Sequence, residues 1–200
     1  MSFDRDAELI IGLSEELADD LANEVHSELM ATGARTALLR LPSEPLASLE
    51  LYLPTAVGIF VMGAFFTGFV SRAGEDAYEA VKAGTKALYR KSSKIRVRRI
   101  GSTGKVRSHG YTSTFAVGCD LIPGRSRAKL LLQEDLTLEE AEAAIEAFLE
   151  LMRQLHAGRI SDDHLQSLFP GSALGGTYLL RYDPPTRTIV AVDGTTGLSA

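Results

Sequence analysis

The most constraining feature of this sequence is an uncharged stretch, residues 51–71, which ends at Arg72. As a helix, its 21 residues would rise about 30 Å, which matches the hydrocarbon thickness of a bilayer. Its apolar residues would cover every face of such a helix, and a helix of this kind must be buried in protein or in lipid. The stretch therefore predicts an apolar central helix, which is either a membrane segment or a core helix.

Glycine and proline within the stretch are compatible with both alternatives. Pro54, Gly58, Gly63 and Gly68 interrupt it. Glycine lets neighbouring elements pack closely and costs helix stability in water, which is typical of a buried helix in a soluble protein. Both residue types are also tolerated in membrane helices.

Charge is strongly segregated along the chain. The formal net charge is −8 over residues 1–71, +9 over residues 72–127 and −6 over residues 128–200, and the whole chain carries −5. Lysine and arginine beside a membrane segment favour the cytoplasmic side. The basic block therefore predicts contact with the inner membrane from the cytoplasm, although a true span would require the acidic N-terminal unit to cross the bilayer.

Length and composition define the class of protein. A chain of 200 residues with 45% hydrophobic and 24% charged residues predicts one globular domain, residues 1–200. The net charge of −5 argues against a dedicated nucleic-acid binder. A single cysteine, Cys119, excludes a disulfide or a cysteine-rich zinc site within one chain, which predicts a cytoplasmic location.

The N-terminal region predicts a strand–helix–strand unit. Residues 8–13 form a short apolar run that suits a buried strand. Apolar residues then recur every four positions from Leu17 to Leu29, as on one face of a helix. A second strand is expected at 35–41, and two strands joined by a helix predict a parallel pair.

The basic block predicts a helix followed by an antiparallel meander. Residues 72–91 match a basic amphipathic helix with an apolar stripe that begins at Tyr78. The near alternation of apolar and basic residues at 95–100 predicts a half-exposed strand. Further strands are expected within 110–122 and at 128–133.

The C-terminal third has the clearest local signals. Thr137 and Glu140 match a capping box, which begins an amphipathic helix that ends before Gly158. Ser161 is expected to cap a short helix, and 177–192 to form a closing hairpin. The elements together predict an α+β protein: a strand–helix–strand unit, an apolar central helix, an antiparallel meander packed by an amphipathic helix, and a C-terminal hairpin.

No residue pattern defines a catalytic, metal or cofactor site. Asp162, Asp163 and His164 invite a metal interpretation, but adjacent positions on a helix do not share a face. Cys119 would need a histidine partner to act as a nucleophile, and His109 is ten residues away in sequence. We therefore expect no catalytic residue, no metal ligand and no cofactor.

The basic residues after the apolar stretch have two interpretations. They would contact anionic lipid or another anion, through Lys82, Lys86, Arg90, Lys91, Lys94, Arg96 and Arg98. Alternatively, the basic strand that carries Lys94, Arg96 and Arg98 pairs with the helix over 138–156, whose carboxylates recur at steps of three and four residues: Glu139, Glu142, Glu146 and Glu150. Internal pairing would explain both charge blocks without a ligand.

The order of elements over residues 8–100 resembles a known group of proteins. A strand–helix–strand unit, a glycine-punctuated apolar stretch, a charged helix and the sequence Lys-Ile-Arg-Val-Arg-Arg at 94–99 are similar to the effector-associated constant components of bacterial conflict systems. The resemblance implies a small non-enzymatic accessory to a variable effector. It carries over no functional residue.

Three functional hypotheses follow. The first is a non-enzymatic accessory or adaptor in the cytoplasm, which contacts the inner membrane through residues 51–71. The second is a soluble interaction module in which residues 51–71 are buried core or an oligomer interface. The third is an enzyme whose site the sequence does not reveal. We expect a protein partner, with an anionic membrane or a second copy of the chain as alternatives and nucleic acid disfavoured.

Overall fold

Seven strands form one mixed sheet in the computed structural model of the protein. In chain order they are β1 (Leu9–Ser14), β2 (Thr36–Leu41), β3 (Val57–Val61), β4 (Phe115–Ile122), β5 (Ser126–Leu131), β6 (Thr177–Asp183) and β7 (Thr188–Ala191). Their order in the sheet is β2-β1-β3-β4-β5-β6-β7. The structure describes residues 7–14, 23, 27, 30, 34–41, 56–67, 72–94, 110–112, 114–122, 126–171, 173 and 176–192.

Along the chain, helices separate the two strands of each parallel pair. The complete helices among the described residues are α1 (Gly63–Thr67), α2 (Arg72–Ser92), α3 (Leu138–His156) and α4 (Asp162–Leu168). α1 and α2 follow β3 and precede β4, whereas α3 and α4 follow β5 and precede β6. Between β1 and β2, the described residues Asn23, Ser27 and Met30 are helical. The mixed sheet with its helices confirms the predicted α+β class.

Parallel and antiparallel pairing alternate across the sheet. The pairs β1–β2, β3–β4 and β5–β6 are parallel, and the pairs β1–β3, β4–β5 and β6–β7 are antiparallel. The β1–β2 register runs from Leu9 opposite Thr36 to Ser14 opposite Leu41. The predicted N-terminal parallel pair is therefore confirmed. Most of the helix predicted between these strands lies outside the described residues.

The predicted apolar central helix over residues 51–71 is wrong where the structure describes it. Residues 57–61 form β3, which lies between β1 and β4, and only the five residues of α1 are helical. Val57, Ile59 and Val61 are buried and alternate with half-buried residues. Side chains branched at Cβ favour a strand. No helix in the described part of the chain is both long and apolar enough to cross a bilayer.

The remaining predicted strands agree in part. β4 and β5 form the expected antiparallel pair, and β6 and β7 form the closing hairpin. The strand predicted at 95–100 lies outside the described residues. The second neighbour of β4 is β3, in parallel, so β4 has no free side for a meander strand at 95–100.

The core lies between one face of the sheet and helices α2 and α3. Phe115 and Val117 of β4 are completely buried there, together with Ile145 and Phe148 of α3. α2 contributes the stripe predicted from the sequence, and all four of its members are buried: Tyr78, Val81, Thr85 and Leu88. Burying this apolar face supplies most of the stability of such helices.

Local capping sets both ends of α3. The Thr137 hydroxyl accepts a hydrogen bond from the Glu140 amide, and the Glu140 carboxylate accepts one from the Thr137 amide. After the helix, Gly158 takes a positive φ of 65°, a conformation that glycine adopts without steric cost. The predicted capping box and C-terminal stop are confirmed.

Candidate functional site

α2 and α3 are held side by side by a ladder of polar bonds. Lys82 Nζ lies 3.3 Å from Glu146 Oε1, and Lys86 also donates to Glu146. One turn further along α2, Arg90 donates two hydrogen bonds to Glu142, one of them 2.7 Å long. The residue numbers of the partners on α3 decrease as the residue numbers on α2 increase, so the two helices run antiparallel. We call these five residues the charge ladder.

The ladder shifts the carboxylates toward their charged form. The hydrogen bond from Arg90 is the largest influence that lowers the pKa of Glu142, and the hydrogen bond from Lys86 has the same role for Glu146. A carboxylate that accepts charged hydrogen bonds is stabilised as the anion. Glu142 and Glu146 are therefore carboxylate anions at neutral pH.

The structure thus places three of the predicted lipid- or anion-contacting residues, Lys82, Lys86 and Arg90, against the carboxylates of α3. The sequence suggested pairing of the basic block with this acidic helix, but it assigned the pairing to the strand at 94–98 and not to α2. Lys91 and Lys94 lie at the C-terminal end of α2 and just beyond it. Arg96 and Arg98 lie outside the described residues.

A groove adjoins the ladder where α2, α3 and the β6–β7 hairpin meet. Its volume is about 470 Å³. Its uncharged lining consists of Tyr78, Ala143, Ala147 and Tyr182, and its charged lining consists of Glu75, Glu79, Lys82, Glu146, Glu150, Arg153 and Arg187. We call this the α2–α3 groove.

Tyr78 lies among the charges of the groove. Its hydroxyl donates to Glu150 Oε2 over 3.3 Å, and its ring centroid lies 5.1 Å from Arg153 Cζ and 5.5 Å from Lys82 Nζ. Burial, with the nearby Glu150 charge, raises the pKa of Tyr78 above its usual range. The phenol therefore stays protonated and serves as a hydrogen-bond donor and a surface for cations.

The charged side chains of the groove fall into two groups. Five of them are bonded within the groove: Glu79, Lys82, Glu146, Glu150 and Arg153. Glu75 and Arg187 are exposed and form no hydrogen bond or ion pair with the described part of the chain. Neither side chain is bonded within the groove, although the Glu75 charge acts on Arg153.

Folding also brings Cys119 to a histidine. Cys119 Sγ lies 3.8 Å from His156 Nε2, although 37 positions separate the two residues in sequence. His156 Nε2 lies 2.8 Å from the Asp120 carbonyl oxygen, and its ring stacks on Phe66 with centroids 5.2 Å apart. Gly63 leaves room for this ring, since a Cβ there would lie 2.9 Å from His156 Cε1.

This pair is not arranged as a nucleophile and base. Burial, with a contribution from the Asp120 charge, raises the pKa of the Cys119 thiol well above its usual range, so the thiol stays protonated. His156 Nε2 must donate its hydrogen to reach a carbonyl oxygen, so it cannot accept one from the thiol. The arrangement packs the end of α3 against β4.

The other candidates from the sequence are not assembled into a site. Asp162 and Asp163 occupy the first turn of α4, where the Ser161 hydroxyl accepts a hydrogen bond from the His164 amide. All three are exposed, and no group of three potential ligands in the described residues could hold a metal ion. His109 lies outside the described residues.

Sequence reasoning did not identify the groove, because its walls come from three distant segments. The four-residue spacing of Lys82, Lys86 and Arg90, which matches that of Glu142 and Glu146, is the one signal that could have pointed to part of it. Nothing in the sequence marked Arg187. Comparison of the chain with protein-family models, with curated proteins and with solved structures finds no match.

Proposed function

We propose that this protein is a non-enzymatic interaction module, an adaptor, that binds a segment of a partner protein in the α2–α3 groove. The observation that carries the proposal is a groove of about 470 Å³ in which five charged side chains are held by one another. Charges fixed in this way present hydrogen-bonding groups without the entropy cost of ordering them on binding. Such a surface is better suited to binding a partner than to catalysis.

Two further observations favour this proposal over the alternatives of nucleophilic catalysis and lipid binding. The one thiol–histidine contact among the described residues holds a buried, protonated thiol, which is unsuited to nucleophilic catalysis. The side chains that lipid binding would require, those of Lys82, Lys86 and Arg90, are bonded to carboxylates of α3. An accessory role is also what the resemblance to conflict-system components implies.

The test begins with a photo-crosslinking amino acid at position 75, on the wall of the groove, in cells that express the full chain. A matched probe at Gln166, exposed on α4, reports random proximity. The captured protein is then purified, and its affinity for this chain is measured by calorimetry. We expect crosslinking from position 75 alone.

A groove-filling variant decides whether the groove is the binding site. Ala147→Trp places a large side chain in the groove, whereas Ala83→Trp places the same side chain on the exposed surface of α2. Partner affinity should fall at least tenfold, about 1.4 kcal/mol, in the first variant and stay unchanged in the second. Equal binding by Ala147→Trp, with its melting curve intact, would contradict the proposal.

A further inference from the structure

We infer that Arg187 binds an acidic side chain of the partner segment, so that the α2–α3 groove selects segments with one isolated Asp or Glu. This inference rests on the proposed function and specifies the chemistry of the partner. It is carried by the backbone of Arg187, by the absence of a bonding partner for its guanidinium, and by the charges around it.

The backbone of Arg187 is strained in a way that hairpin stability does not require. Its φ of 55° makes it the one non-glycine residue with positive φ in the described chain. The other four positions with positive φ are glycines: Gly110, Gly158, Gly171 and Gly176. A glycine at 187 would satisfy the turn with less strain, so the arginine is present for its side chain.

The guanidinium of Arg187 is available for a ligand. The two other cations of the groove, Lys82 and Arg153, each form ion pairs with glutamates. Arg187 lines the same groove, is exposed, and forms no such pair with the described residues. A planar guanidinium with five N–H donors fits a carboxylate through two parallel hydrogen bonds.

The turn that carries Arg187 is held rigid. The Thr186 hydroxyl donates to Asp183 Oδ2 over 2.6 Å, and Pro184 and Pro185 fix two further φ angles. The turn therefore presents Arg187 to the groove at a set position, and binding does not have to order the backbone.

A second exposed charge limits the partner to a single acidic residue. Glu75 lines the same groove, where its charge acts on Arg153, and it forms no hydrogen bond or ion pair with the described part of the chain. A run of acidic residues, a nucleic acid or an anionic membrane would bring several negative charges against this carboxylate, at a cost in free energy. One carboxylate on Arg187, with neutral or basic neighbours near Glu75, avoids that repulsion.

The experiment uses a phage library of random 12-residue peptides, selected on the full chain and in parallel on Arg187→Ala. The matched control is Arg159→Ala, since Arg159 is exposed and lies outside the groove. We expect one enriched Asp or Glu in peptides selected by the wild type and by Arg159→Ala, but not by Arg187→Ala. A selected peptide should bind Arg187→Ala at least about tenfold more weakly, as expected for loss of a charged hydrogen bond.

The outcomes separate this inference from the proposed function. Peptides that bind Ala147→Trp as well as the wild type would show that the groove is not the site, and both proposals would fail. Peptides that require the groove but show no acidic preference, or that bind Arg187→Ala with unchanged affinity, would overturn the inference alone. Displacement of the peptide by inorganic phosphate at constant ionic strength would also overturn it, since the site would then favour phosphate.

Discussion

Replacing Arg187 by glycine should stabilise this protein. Arg187 has a φ of 55°, which an L-residue adopts only at a steric cost. It forms no hydrogen bond or ion pair with the described residues, so its removal sacrifices no bond there. The substitution therefore removes backbone strain without an equivalent loss.

The magnitude follows from two opposing contributions. A non-glycine residue in the left-handed region costs about 1–2 kcal/mol, which glycine avoids. Glycine loses about 0.5–1 kcal/mol more conformational entropy when the chain folds. Taking the middle of each range, the free energy of unfolding should rise by about 0.75 kcal/mol, and the melting temperature of a chain of this size by about 1.5–3 °C.

Urea unfolding followed by circular dichroism at 25 °C measures this change. Arg159→Gly is the matched control, because Arg159 is exposed and its φ is not positive. That variant should lose about 0.5–1 kcal/mol, since glycine there adds only chain entropy to the unfolded state. Arg187→Ala keeps the strained backbone and should unfold at the urea concentration of the wild type.

Two results would refute the reasoning. A destabilised Arg187→Gly would mean that the arginine side chain stabilises the hairpin by more than its backbone costs. An Arg187→Ala variant as stable as Arg187→Gly would mean that the wild-type side chain is repelled in the folded state and that its backbone is not strained. In either case the groove would no longer explain why arginine occupies this turn.

Three more predictions test the architecture. Gly63→Ala should lower the free energy of unfolding by about 1–3 kcal/mol in urea titrations, because the new Cβ would lie 2.9 Å from His156 Cε1. Thr137→Ala should cost about 1 kcal/mol in the same assay through loss of the capping box; equal stability would exclude that role. Since the pKa values of Glu142 and Glu146 are lowered on folding, their stabilisation is complete above the unfolded pKa of about 4.3 and is lost as pH falls through the folded values. Stability measured from pH 7 to pH 3 should therefore fall less steeply in Glu146→Gln than in the wild type.

Elements with signals inside one short segment could be predicted from the sequence. The capping box at Thr137 and the stop at Gly158 define α3 through bonds between neighbouring residues. The stripe that begins at Tyr78 defines the buried face of α2 through its helical spacing. The N-terminal parallel pair follows from strand–helix–strand order alone. Each of these signals lies within one element or one connection.

The uncharged stretch could not be assigned from its own residues. A strand buried on both faces and a helix buried on all faces both lack charged side chains, so apolar content does not separate them. Length favoured the helix, whereas the side chains branched at Cβ, those of Val57, Ile59 and Val61, are typical of a strand. The neighbours decided the outcome, because every residue of β3 has a paired residue in β1 on one side and in β4 on the other.

The candidate site was predictable only where periodicity carried information. The carboxylates at steps of three and four residues suggested that α3 pairs with the basic block; the sequence assigned the pairing to the strand at 94–98, whereas the ladder forms it through Lys82, Lys86 and Arg90 of α2. The contact between Cys119 and His156 depends on how α3 lies across β4, which no local pattern encodes. The presence of Arg187 and Tyr78 in one groove likewise depends on how the β6–β7 hairpin packs against α2 and α3.

Stability favours glycine at position 187, whereas the proposed binding requires arginine. The unfolding free energy and the peptide affinity of Arg187→Gly should therefore be measured together. Glycine there should make the fold more stable and should abolish selection of an acidic peptide. An arginine without a ligand would lower the free energy of unfolding with no compensating interaction. An arginine that binds a partner would offset this cost through the free energy of binding. A gain in stability together with a loss of peptide affinity, both in Arg187→Gly, would therefore identify the side chain as part of a binding site. A gain in stability without any loss of affinity would leave the strain of this turn without a function.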